Sequence, residues 1–279
     1  MRPGSSPVIV LPGAGNTGLD LSMFAAPSDA ICSTTISYPG WQRFVEKGFS
    51  VEVLVSELSS QIATIVPQGP IRILGFSMGG HFGYAAALQL QARGREIAGF
   101  CAIDSFIIPP SVQRAPAQNG YRILARGLSL MRGGRFGDLS RSARLRVCRA
   151  MIRSAGDRLP SLLRSAAPLG RLAAIFGYDQ LFAEEISEQL LIHHAQPWIE
   201  SLDIEPIALK APAILLRTQG IRGDDRAWRR RCPDMEIFEI PGDHRTITEV
   251  LENSRKPETT FAPNNISAIR ESFLSTMRG

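Results

Sequence analysis

The stretch ILGFSMGGHF, residues 73–82, sets a serine between glycines in the order Gly75-Phe76-Ser77-Met78-Gly79. Alone, the pentapeptide fits either a sharp strand-to-helix turn that exposes a nucleophile or an ordinary glycine-rich turn or phosphate loop. Its flanks separate these. PIRIL at 70–74 is a short apolar run that reads as a buried strand ending in Gly75. GGHFGYAAALQLQARG, from Gly79, reads as a helix closed at Gly94. No Gly-Lys-Ser/Thr follows, and a dinucleotide fingerprint would follow the first strand rather than this one. Strand, glycine-flanked serine and helix together make a nucleophile elbow: small neighbours let the chain turn without a clash, and the positive helix end faces the serine.

The same alternation extends outward. PVIVL at 7–11 is a strand stopped by Pro12-Gly13, and AICSTTISY at 30–38 is a second, ended by Pro39-Gly40. Val51, Leu54, Val55, Leu58 and Ile62 recur with the helical period until Pro67. IAGFCAI at 97–103 is another strand, followed by Asp104. The pattern breaks at Pro109-Pro110, runs helical to about Pro206, and resumes with PAILLR at 212–217 and MEIFEI at 235–240. A last helix carries Ile266, Ile269, Phe273 and Met277 on one stripe behind Asn264 or Asn265 as its cap. Strands alternating with helices imply an α/β fold with a mostly parallel sheet flanked by helices. The expected organisation is one domain over 1–279 with a helical, lid-like insertion at 110–205.

Composition narrows the class. The 279 residues are 44% hydrophobic and 20% charged, as in an ordinary soluble globular protein. No apolar run has bilayer-spanning length, and the N-terminus MRPGSSPVIVLPG lacks a signal peptide's apolar stretch. Cys32, Cys101, Cys148 and Cys232 have neither metal nor redox spacing, and Cys101 reads as a buried thiol, which points to a reducing, cytoplasmic setting without a metal or redox cofactor. The net charge of +5 is unevenly spread: residues 111–172 hold thirteen arginines against Asp138 and Asp157, a net of +11, while the remainder has 18 basic and 24 acidic residues. Such asymmetry suits a negatively charged partner. The competing reading is a solvated arginine-rich face, since only three of the 31 basic residues are lysine and codon bias raises arginine.

A serine nucleophile needs a base, and the chain has four histidines. His81 sits on the helix leaving Ser77 and is badly placed to turn back to it. His193 and His194 fall in the insertion. His244, in EIPGDHRTI just past the last strand, lies at the carboxyl edge of the sheet where Ser77 must also sit. It is the base by elimination and by position. The acid stays open between Asp104, after FCAI, and Asp225 (with Asp224), after AILLRTQGIRG; both preserve the order serine, acid, histidine. Asp243, next to His244, points the wrong way to orient that ring. An oxyanion hole takes two backbone N–H groups. Met78, following the serine, offers one, and Ala14 in LPGAGNTG, where glycines permit close approach, offers the other.

With these pieces assembled, the chain resembles the thioesterases of nonribosomal peptide and polyketide assembly lines, members of the α/β-hydrolase superfamily. GFSMGGHFGYAAALQLQARGREIAGFCAIDS looks like their core block, VIVLPGAGNTG is similar to their oxyanion loop, and EIFEIPGDHRTI to their histidine loop. The similarity spans most of residues 7–105 and 210–250, and the helices between correspond to the family's variable lid. The resemblance implies Asp104 as the acid, since the family's acid occupies this Asp-Ser position. It also implies a substrate, an acyl chain thioester-linked to the phosphopantetheine arm of a carrier protein, and a synthetase partner rather than nucleic acid or membrane; a monomer is expected. Two departures stand out: the first loop lacks the histidine often found there, and His81 replaces a residue that is usually apolar. Because carrier proteins are usually acidic, the arginine-rich insertion becomes a candidate docking surface. Arg146, Arg149 and Arg153 would share one face of a lid helix, with Leu145, Cys148 and Ile152 turned inward. Trp198, Phe136 and the His193-His194 pair are candidates either to line a pocket there or simply to pack.

Rival expectations are an excised releasing or macrocyclising terminal domain, a general carboxylesterase or lipase, and a catalytically idle hydrolase-fold binding protein. A Met start and a stop soon after the last helix favour a free-standing enzyme. The serine, acid and histidine set argues against idleness.

Overall fold

Runs of β-branched and apolar residues are buried on both faces only inside a covered parallel sheet. Six strands of the computed structural model form one: β1 (Val8–Leu11), β2 (Ser33–Thr35), β3 (Ile71–Phe76), β4 (Ile97–Ile103), β5 (Ala213–Thr218) and β6 (Met235–Ile240). The structure describes residues 7–16, 31–44, 46–106, 180–202, 204, 206–218, 225–242, 244, 247 and 266–278. All pairings are parallel, in the order β2-β1-β3-β4-β5-β6. From β1 the chain steps outward to β2, then crosses back to lay β3 on the other side of β1. That reversal makes the carboxyl ends of β1 and β3 a switch point, where loops diverge and leave a crevice.

Among the described residues the helices are α1 (Trp41–Phe44), α2 (Val51–Ile65), α3 (Met78–Ala92), α4 (Gln180–Ser201), α5 (Asp225–Arg231) and α6 (Ile266–Arg278). The predicted stripe of α2 is buried throughout, and Ser50 caps the helix by accepting the Val53 N–H. α3 packs over β1, β3 and β4 and against α2. Leu11, Ile73 and Phe100 line that face, crowding the one point where Gly83 has no side chain. On the opposite face, Ile269, Phe273 and Met277 of α6 pack on Val8, Val10, Leu74, Cys101, Ile103, Ile214, Leu216 and Ile240. Each of those three α6 side chains contributes about 1.5–3 kcal/mol by leaving water. Gly99 admits α6 closely, since a Cβ there would lie 2.2 Å from the Thr276 carbonyl oxygen. Cys101 is the buried thiol its apolar run implies, and burial pushes its pKa up.

Several boundaries differ from the sequence expectation. Of AICSTTISY only Ser33–Thr35 joins the sheet, because among the described residues β2 is an edge strand paired with β1 alone, and its side chains stay largely in water. β3 runs on through Gly75 and Phe76, so α3 begins at Met78, one residue earlier than expected. The chain also divides into two units: Met1–Tyr38, Ser50–Ile108 and Ile192–Gly279 form one, Pro39–Phe49 and Pro109–Leu191 the other. The later half of α4, with His193, His194 and Trp198, therefore groups with the sheet rather than with the insertion placed at 110–205. Trp198 tilts against Phe82 of α3 at 5.6 Å there. In the second unit, Arg43 pairs with Glu46 one turn on, and Phe44 meets Phe49 edge to face. Among the described residues no helix is long and apolar enough to cross a membrane.

Candidate active site

Ser77 occupies the turn between β3 and α3 with φ 53° and ψ −120°, a conformation that costs a non-glycine residue on the order of 1–3 kcal/mol. Its N–H donates to the Ile103 carbonyl at 2.7 Å, and its own carbonyl accepts from Gly80 N–H at 3.2 Å. The flanking glycines are required by backbone contact. A Cβ at Gly75 would stand 2.2 Å from the Gly79 carbonyl oxygen, and one at Gly79 would stand 2.2 Å from that of Leu11. Backbone cannot swing aside as a side chain can. Gly79→Ala is therefore expected to lower stability by about 3 kcal/mol, read as a shifted urea midpoint; an unchanged midpoint would contradict the tight approach.

Asp104 follows β4 and, like Ser77, has a positive φ, 48°. Its N–H donates to the Leu216 carbonyl at 2.6 Å, which seats it between the ends of β4 and β5. The side chain is 1% exposed. Oδ1 accepts from the backbone N–H and the hydroxyl of Thr218, at 2.8 and 2.9 Å. Oδ2 lies 2.6 Å from His244 Nδ1. With a carboxylate as acceptor, Nδ1 carries the ring proton and Nε2 keeps its lone pair free for base chemistry. Two rings fix the imidazole further: Phe76 stacks on it at 5.2 Å and 10°, and Phe106 meets it edge to face at 5.5 Å and 82°.

Asp225, the other acid considered, is engaged elsewhere. It opens α5, and its Oδ1 accepts from Arg217 Nη1 at 3.0 Å; Arg217 also pairs with Glu239, its cross-strand neighbour on β6. The physical reason is strand alternation. Thr218 and Arg217 are successive residues and point to opposite faces, so Thr218 reaches Asp104 while Arg217 draws Asp225 away. His193 is exposed and His194 half-buried, ring edge against ring face at 5.6 Å. Asp224, Asp243, Phe136, Arg146, Arg149 and Arg153 lie outside the described residues.

The loop after β1 closes on the serine. A Cβ at Gly13 would lie 3.5 Å from Ser77 Cβ, so these two loops meet across the switch point. Asn16, with φ 56°, bonds Tyr38 through both ends of its amide, accepting from Tyr38 N–H at 2.7 Å and donating to its carbonyl at 3.2 Å. The Tyr38 hydroxyl donates to the Pro12 carbonyl at 2.6 Å, and burial raises its pKa, which keeps it a donor. Ala14 sits half-buried at the crest of this fastened loop, and Met78 opens α3, where N–H groups have no acceptor within the helix.

His81 lies one helical turn beyond Ser77 and is 2% exposed. Its Nδ1 is 3.0 Å from Arg231 Nη1 and its Nε2 is 3.3 Å from the Phe106 carbonyl oxygen. A guanidinium only donates, so Nδ1 accepts, and the proton resides on Nε2 and goes to Phe106. Burial first, and Arg231 second, lower its pKa to about 3. The folded protein thus keeps His81 neutral below the ordinary histidine pKa of about 6.5, while the unfolded chain takes up the proton. Stability is then lost as pH falls below that value, by about 2 kcal/mol at pH 5. His81→Gln removes this dependence, so the drop in urea midpoint between about pH 7.5 and about pH 5 is smaller in the variant; an equal drop would contradict the assignment.

Thr218, Phe76, Phe106 and the Asn16–Tyr38 pair had no local sequence signal. Thr218 lies one residue past the run read as a strand at 212–217, and its partner Asp104 is 114 positions away.

The fold matches known structures at low sequence identity. The chain is similar to the NocB thioesterase domain, solved in covalent complex with a fluorophosphonate nocardicin G analog, at 17% identity and TM-score 0.53, covering 96% of this chain and 95% of that one. It is likewise similar to the RedJ thioesterase from the prodiginine biosynthetic pathway in Streptomyces coelicolor, at 19% identity and TM-score 0.51, covering 95% and 85%. A dimodular nonribosomal peptide synthase of Bacillus subtilis (strain 168) is 33% identical over 57 residues, which is 20% of this chain and 2% of that protein. The family model of the thioesterase domain matches residues 7–256, a span that holds the Ser77 turn, Asp104 and His244, and the chain belongs to that family.

Proposed function

We propose that the site is a serine thioesterase centre in which His244, oriented by Asp104, takes the proton of Ser77 Oγ as that oxygen attacks a thioester carbonyl carbon. The new C–O bond gives a tetrahedral oxyanion held by the N–H groups of Ala14 and Met78. Its collapse breaks the C–S bond, and the proton passes from His244 Nε2 to the departing sulfur. Water then repeats the route: His244 takes its proton, the hydroxyl adds to the acyl carbon, and Ser77 leaves reprotonated. A hydroxyl or amine within the acyl chain can replace water and give a ring. No metal or redox group enters these steps. The observation that carries the reading is the 2.6 Å contact between Asp104 Oδ2 and His244 Nδ1, at the same sheet edge as the strained turn of Ser77.

The substrate we assign is an acyl or peptidyl group on the phosphopantetheine arm of a carrier protein in a nonribosomal peptide or polyketide synthetase. Family membership, the likeness to the NocB and RedJ thioesterases and the short stretch shared with a peptide synthase support it. The +11 segment at 111–172 supplies a surface for an acidic carrier, with Arg146, Arg149 and Arg153 as its docking residues. Mass spectrometry of acylated carrier proteins incubated with the enzyme should show loss of the acyl mass, faster than from oxygen esters or free CoA thioesters. Glutamate at the three arginines should raise KM for the carrier-bound substrate only. Equal rates on oxygen esters would favour a carboxylesterase, and unchanged KM would remove the docking surface.

A further inference from the structure

We infer that His81, with Arg231 and Trp228 behind it, is a positioning residue for His244, acting through the Asp104–Phe106 segment that leaves β4. The inference rests on the proposed role of His244 as base. Among the described residues three groups hold the His244 ring: Phe76, the Asp104 carboxyl and the Phe106 ring. Two of the three belong to one short segment, which begins in the unfavourable left-handed region at Asp104 and runs on past the last sheet pairing, at Ile103.

Buried side chains hold that segment where the sheet no longer does. Trp228 Nε1 donates to the Ser105 carbonyl, and His81 Nε2 donates to the Phe106 carbonyl at 3.3 Å. The two rings stack at 5.3 Å and 21°. Behind them, Arg231 is 0% exposed, with its guanidinium 5.2 Å from the Trp228 ring centre and 5.3 Å from that of Tyr84. Arg231 Nη2 donates to the Ile199 carbonyl at 3.2 Å, and its own carbonyl accepts from Leu209 N–H at 2.8 Å. The cation is therefore anchored to the segments before β5 while it presents Nη1 to His81.

This arrangement solves a directional problem. An imidazole has two tautomers, and only one offers a donor to Phe106. Arg231, which can only donate, selects it. An apolar residue at position 81 would leave the Phe106 carbonyl without this donor. A buried guanidinium is costly, and well-packed hydrophobic residues commonly do as well for stability. What the polar set adds over such a core is fixed direction at two carbonyls, and through them a fixed place for the Phe106 ring and the Asp104 carboxyl.

The test compares His81→Leu with His81→Gln, whose amide keeps both an acceptor and a donor. Among folded proteins of matched melting cooperativity, His81→Leu should lower kcat on the order of tenfold to a hundredfold, leave KM near the wild-type value, and shift or broaden the low-field NMR signal of the His244 Nδ1 proton. His81→Gln should restore most of both. Should His81→Leu fail to fold, Trp228→Phe, which keeps an aromatic ring but removes the donor to Ser105 and part of the stacking on His81, carries the same NMR comparison. A folded His81→Leu or Trp228→Phe with an unchanged His244 signal, or an effect confined to KM, overturns the inference. Because the NMR signal does not depend on turnover, it still decides the matter if His244→Ala is labelled by a phosphonate as fast as the wild type and His244 is thereby shown to be no base.

Discussion

On the proposed mechanism, Ser77→Ala is expected to lower kcat/KM for a thioester roughly 10⁴- to 10⁶-fold while leaving the protein folded. The size follows from the loss of the covalent route. Without Oγ no acyl-enzyme forms, and His244 and Asp104 have no proton to move; what remains is binding and the backbone amides that polarise the carbonyl. The fold should tolerate the change, because alanine keeps the main chain of the turn, including the bonds to Ile103 and Gly80. Assays with a carrier-bound substrate and with a small thioester should fall together, since the lost step is common to both. Retention of activity within about tenfold would mean that the chemistry lies elsewhere.

Asp104→Asn should be nearly as damaging, about 10⁴-fold in kcat, for a reason the hydrogen bonds specify. Thr218 presents its backbone N–H to Oδ1, so an asparagine must turn its carbonyl oxygen toward Thr218. Its NH₂ then faces His244 Nδ1, which is forced to accept. The ring proton moves to Nε2, the nitrogen that must be free to receive the serine proton. Shape and packing survive while the base is lost. Asp225→Asn is the control: it weakens a partly exposed pair in which Arg217 still has Glu239, worth about 1 kcal/mol or less, and turnover stays near the wild-type value. Equal losses in the two variants would contradict the assignment of Asp104.

How far these residues were legible in the sequence depends on the range of the interaction that fixes each. Gly75 and Gly79 announce the serine turn because the steric demand is local, set by atoms within a few positions and by the end of β1. The buried stripe of α2 and the apolar runs of β1, β3 and β4 were legible for the same reason. His244, which lies 2.6 Å from Asp104, is the histidine that elimination among four selects as the proposed base. Asp104 and Asp225 could not be separated from the residues alone, because each follows a strand that ends at the same sheet edge. What distinguishes them is the alternation at the end of β5, where Thr218 faces Asp104 and Arg217 faces Asp225, and alternation has meaning only once register with β4 is set. His81 was opaque for a similar reason: its partner Arg231 is 150 residues away, and no local pattern marks an arginine as buried. β2 was over-extended because apolar content alone does not show where an edge strand stops pairing.

The central claim, that Ser77 is the nucleophile and that His244 and Asp104 activate it, is tested most directly by covalent labelling. Wild type, Ser77→Ala and Asp104→Asn are treated with a serine-directed fluorophosphonate and digested, and the adduct is located by mass spectrometry. A single adduct is expected on the peptide carrying Ser77, absent in Ser77→Ala and formed much more slowly in Asp104→Asn. An adduct on another residue, or labelling of Ser77→Ala at the wild-type rate, would contradict it.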